Sequence, residues 1–74
     1  MNKPHEIHLL DAVALADDLP AEKLSRGQVG TVVENLADGV YEVEFSDDGG
    51  RTYALLTLKS EQLIVLRFQP VKAA

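Results

Sequence analysis

Three short stretches of this 74-residue chain carry residue types that could do chemistry. His5-Glu6-Ile7-His8 places two imidazoles three positions apart around a carboxylate, a donor set that zinc accepts. The spacing is not His-Glu-x-x-His, which puts two ligands on one helical face, so solvated histidines are expected. Asp17-Asp18 and Asp47-Asp48 pair carboxylates as acid–base catalysts do, but adjacent residues on extended backbone point to opposite sides. Asp47-Asp48-Gly49-Gly50-Arg51 resembles the start of a calcium loop. An EF-hand needs oxygens at alternate positions and a glutamate at the twelfth, and a strand starting at Thr52 leaves no room for it. Ser25, Ser46 and Ser60 have no base at a recognisable spacing, and there is no cysteine nucleophile. The residues therefore name no catalytic group, no metal ligand and no cofactor. The chain is expected not to be an enzyme, and no small-molecule ligand is specified.

Size and charge bound the remaining choices. At 74 residues there is room for one domain, near the lower limit for a self-sufficient core. An apolar fraction of 46% argues against disorder, so the core must be compact or completed by a partner. Absence of cysteine suits the cytoplasm. The opening Met1-Asn2-Lys3-Pro4-His5-Glu6 lacks the basic start and apolar core of a signal peptide. No apolar run approaches the ~20 residues that cross a bilayer. A net charge of −5 repels phosphate backbones and acidic membranes on average, which disfavours nucleic-acid and membrane partners.

The elements that must position these residues centre on residues 26–58, where three apolar runs are separated by Asp38-Gly39 and by Asp47-Asp48-Gly49-Gly50. That is the pattern of a three-stranded antiparallel meander. In Val40-Tyr41-Glu42-Val43-Glu44-Phe45, Tyr41, Val43 and Phe45 face inward. Glu42 and Glu44 face water and are joined across the strand pair by Glu34. Residues 9–16 fit a helical stripe as well as a strand; a short strand over 11–16 is expected, because the meander leaves an edge to be paired. A charged, turn-rich loop follows to Arg26, with Leu19 and Leu24 folding back on the sheet. Gly27 and Gly30 signal a bulge, a bend or a close backbone approach. Residues 53–58 and 63–68 are apolar on both faces, where a half-exposed strand should show one polar face. Between them Lys59-Ser60-Glu61-Gln62 suits one helical turn capped by Ser60.

This order is that of an all-β, five-stranded SH3-like barrel with a long first loop and one short helical turn before the last strand. Residues 1–8 form a flexible lead-in, 9–69 the domain and 70–74 a frayed tail. Arg26-Gly27-Gln28-Val29-Gly30-Thr31-Val32-Val33 resembles the glycine-centred motif of KOW-type barrels, which implies RNA or ribosome binding. Leu10-Asp11-Ala12-Val13-Ala14-Leu15, Asp18-Leu19-Pro20, the same 26–33 stretch with Glu34, Tyr41-Glu42-Val43-Glu44-Phe45 and Tyr53-Ala54-Leu55-Leu56-Thr57-Leu58 are together similar to a family of small bacterial proteins catalogued as a domain of unknown function. That resemblance implies the barrel and a bacterial cytoplasm, and no catalytic residue. The expected function is a non-catalytic protein–protein interaction module. It would bind a second copy of the chain, as a homodimer, or a neighbouring-gene protein, in an antitoxin- or immunity-like role; the alternative is a KOW-like RNA-binding module. The expected partner surface is Tyr53, Leu55, Ile64, Leu66 and Phe68, and the expected functional loop Asp17, Asp18, Leu19, Lys23 and Arg26.

Overall fold

Alternating apolar residues with no long helical stretch must bury their inner face by curling one sheet on itself. The computed structural model describes residues 6–68 and shows that outcome. The strands are β1 (Ala12–Leu15), β2 (Val29–Ala37), β3 (Val40–Ser46), β4 (Thr52–Lys59) and β5 (Leu63–Val65). All pair antiparallel in one sheet, in the order β4-β3-β2-β1-β5. The long first loop is present, and a 3-10 turn at Ser60–Gln62 precedes β5, as expected. A second 3-10 turn, Pro20–Glu22, sits inside the long loop. The open choice at residues 9–16 is settled as a strand. The expected tail at 70–74, and Met1 to His5 of the lead-in, lie outside the described residues.

The core gathers on one face: Val13, Leu15, Val32, Val43, Phe45, Leu58 and Leu63, joined by Leu24 from the loop and Ile7 from before the first strand. Ile7 lies within the lead-in expected over 1–8 and is nonetheless buried. The register explains why these residues share a face. Val32 faces Val43, which faces Leu56; Phe45 faces Ala54; Leu15 faces Leu63.

β2 pairs with both β1 and β3, and at Gly30 it lies close against β3. A Cβ there would lie 2.8 Å from the Glu44 carbonyl oxygen and 2.8 Å from Val43 Cγ1. Of the readings open for this glycine, the close approach is the one realised. The ladder breaks lie elsewhere, with one extra residue at each of Val33, Leu36 and Tyr53. The first two bulges explain why Val-Val-Glu-Asn-Leu-Ala fails to alternate.

Two local expectations are corrected. Ser60 does not cap the turn before β5: the Gln62 side chain does, its Oε1 accepting from the Lys59 amide at 2.8 Å. The last strand runs for three residues and not over 63–68, because its partner β1 has only four. Leu66 still donates its amide to the Ala12 carbonyl at 2.9 Å. The Asp47 turn closes as a hairpin: Asp47 Oδ1 accepts from the amides of Gly49 and Arg51 at 2.9 and 3.0 Å.

Gly30→Ala is expected to cost about 1–3 kcal/mol through overpacking, read as a lowered urea midpoint at unchanged slope. An unshifted midpoint would mean that β2 and β3 can part there freely.

Candidate interaction surface

The long loop folds as a small bonded unit. Leu19 and Leu24 exchange backbone hydrogen bonds at 2.9 and 3.2 Å, and Lys23 takes the left-handed conformation (φ 59) that turns the chain between them. Leu24 is buried and Leu19 packs against the core. Asp18 Oδ1 accepts from the Arg26 amide at 2.8 Å, fastening the loop's two ends. Asp18, Leu19 and Lys23 thus have evident structural work, while Asp17 and the Arg26 side chain face solvent.

Tyr53 ties this loop to β4. As the extra residue of its bulge it leans towards Phe45, with ring centroids 6.5 Å apart, and its hydroxyl accepts from Gln28 Nε2 at 3.1 Å. Gln28 Oε1 in turn accepts from the Ser25 amide. One member of the expected partner surface therefore sits beside the expected functional loop. The linking residue, Gln28, was not singled out in the sequence, because a glutamine between two glycines carries no pattern of its own.

The outer face of the sheet divides in two. Across β2, β3 and β4 it is acidic and hydroxylic, with Leu55 of β4 set among these groups opposite Glu44. Glu34 stands opposite Glu42, and Thr31 opposite Glu44. Thr52 Oγ1 donates to Glu44 Oε2 at 2.8 Å and Thr57 Oγ1 to Glu42 Oε1 at 3.3 Å. Across β2, β1 and β5 the outer face is apolar. Val29, Ala14 and Ile64 form one cross-strand row, with Val29 50% and Ile64 51% exposed and Ala14 the floor between them. Ala12 continues the floor between Thr31 and Leu66, whose amide it receives. At the end of this strip Leu10 donates its amide to Val32 at 2.7 Å, which sets it beside Val33. Leu10 is 76% exposed and held at φ 69, a conformation that bulky residues seldom adopt.

The expected partner residues are divided between the two end strands of the sheet. Tyr53 and Leu55 lie on β4, and Ile64 on β5, at opposite ends of the strand order. Leu66 is half-buried just beyond β5, and Phe68, two residues on, is exposed. Ile64 belongs to the apolar strip, together with Val29 and Leu10, which carried no expectation of function. Their signal was present in the alternation of Ala12, Ala14 and Ala16, whose small side chains leave their neighbours proud. No three of the described histidine, aspartate and glutamate residues are placed to hold a metal ion. His8 serves the turn before β1, its amide donating to Asp11 Oδ2 at 2.8 Å and its ring lying 3.1 Å from Glu6 Oε2. The cations Lys23, Arg26, Arg51 and Lys59 make no ion pair among the described residues, and they are spread over the loop, the distal turn and the end of β4.

A family model described as a domain of unknown function, DUF4926, matches residues 9–65. The chain belongs to this family. The match spans β1 to β5 of the DUF4926 domain, including the long loop and the alanine-floored strip. Comparison with curated proteins and with solved structures returned no match. No helix among the described residues is long and apolar enough to cross a membrane.

Tyr53→Phe removes the bond to Gln28 and leaves the ring. The expected loss is about 0.5–1.5 kcal/mol, with faster amide exchange confined to the 17–28 segment. Unchanged exchange there would show that the loop holds itself.

Proposed function

We propose that the DUF4926 domain is a non-catalytic, cytoplasmic protein-binding module of SH3-like layout, and that its docking surface is the outer face of β2, β1 and β5. The observation that carries the reading is the Val29–Ala14–Ile64 row, in which a methyl floor lies between two half-exposed β-branched walls. The main contiguous apolar patch on a protein surface is often its functional one. Covering about 400 Å² of apolar surface supplies on the order of 10 kcal/mol before the costs of association. No charged side chain of β1 or β5 lies in the row, so a partner loses no ion hydration there.

Lys23, Arg26, Arg51 and Lys59 are spread over the long loop, the distal turn and the end of β4, which weighs against an RNA-binding role. Such a role would draw its affinity from clustered phosphate contacts.

The test is binding of the native partner from cell extract to the immobilised full chain. Val29→Asp with Ile64→Asp, both at exposed positions, is expected to weaken retention roughly tenfold or more while the circular dichroism stays that of wild type. Retention unaffected by that pair contradicts the reading. So does a salt-steep shift of labelled RNA abolished by Arg26→Ala or Arg51→Ala.

A further inference from the structure

β4 ends the sheet with β3 as its one ladder partner, and its eight residues have no described backbone bond on the other side. Natural proteins guard such edges with proline, inward charge or a covering element. Residues 52–59 contain no proline and no inward charge; the guards present are Lys59 at one end and the Tyr53 bulge near the other, and between them the edge is regular. The core is also open along this edge. Phe45 and Val43 are fully buried, at 0% exposure, yet the residues opposite them, Ala54 and Leu56, are only half-buried. On the outer side Leu55 is 52% exposed.

We propose that β4 pairs antiparallel with β4 of a second copy about a twofold axis at Leu55, joining two sheets into one of ten strands. The proposal deepens the reading of the domain as an interaction module, but uses a surface other than the β2–β1–β5 face. Four observations select a second copy of this chain.

Length is the first: the regular run of residues 54–59 beyond the Tyr53 bulge is matched by the same run of another β4, whereas the opposite edge, β5, offers three residues. Face is the second. Side chains keep to their own side only in registers that pair like faces, and centring on Leu55 sets Ala54 against Leu56 of the other copy. A small residue then meets a large one at each of the two places where the core is open. Charge is the third. Two chains of net charge −5 repel, but residues 52–59 hold no carboxylate. Glu42 and Glu44 lie on β3, so those of the two copies stand about three strand spacings, roughly 14 Å, apart, beyond the ~8 Å screening length. The nearest cations, Arg51 and Lys59, lie outside the central part of the pairing. Symmetry is the fourth, because an edge paired with itself closes at two copies and does not propagate into fibres.

The pairing also accounts for a strand that is apolar on both faces. Its inward residues complete two cores, and its outward Leu55 meets its own symmetry mate.

Sedimentation velocity of the full chain over the micromolar range is expected to show a reversible monomer–dimer equilibrium. Leu55→Lys, at an exposed position that keeps the fold, is expected to raise the dissociation constant roughly tenfold or more by setting like charges face to face. The chain has no cysteine, so Leu55→Cys should oxidise to a covalent dimer while Ile64→Cys does not. A strict monomer overturns the proposal and leaves the β2–β1–β5 surface free to bind another protein. A dimer that survives Leu55→Lys but is broken by Val29→Asp with Ile64→Asp also overturns it, and moves self-association to that surface.

Discussion

At Gly30 the chain has room for a hydrogen and nothing larger, with Glu44 O and Val43 Cγ1 each 2.8 Å from where a Cβ would stand. The rest of the structure depends on this contact. A single sheet without a helix to cover it can hide its apolar face only by curling. Curling requires one strand to serve both halves. β2 does so, pairing with β1 through residues 29–31 and with β3 from Thr31 onward. The glycine lies in the first of these segments, against β3. The bulge at Val33 then sets Glu34 opposite Glu42, and the bulge at Leu36 sets Ala37 opposite Val40.

So small a core fills quickly. The inner face takes Val13, Leu15, Val32, Val43, Phe45, Leu58 and Leu63, and apolar residues are left over. Val29, Ile64, Leu55, Leu10 and Phe68 all stand in water. Leu55 apart, their surroundings follow a pattern: carboxylates and threonines occupy the outer face of β3 and β4, alanines and branched residues that of β1 and β5. Solubility alone would have mixed the two. The same shortage of covering elements leaves β4 as an open edge and the core thin beneath Ala54 and Leu56.

The fold was legible in the sequence because turn chemistry and alternation agreed. Asp38-Gly39 turns with Gly39 at φ 73, and Tyr41, Val43 and Phe45 lie on the side that alternation required. The 11–16 stretch fitted two periods, and only the need of β2 and β5 for a common neighbour decides for the strand. What was hidden was non-local. Bulges at Val33, Leu36 and Tyr53 leave no residue signature when glycine is absent. The link from Tyr53 through Gln28 to Ser25 crosses 25 positions of chain between its first two members. The candidate surface was half legible for the same reason. Two-sided hydrophobicity pointed to β4 and to the last strand, correctly as unusual, but could not show that they end the sheet on opposite sides. Ile64 gained its neighbours Val29 and Ala14 only through the register of β1.

Hydrogen exchange on the domain bound to its native partner tests the interaction reading most directly. Added protection at the amides of β1 and β5, Ala12–Leu15 and Leu63–Val65, with β2 near Val29, is the predicted footprint. A footprint confined to the 17–26 loop and the distal turn at Asp47, with the β2–β1–β5 face unchanged, would contradict it.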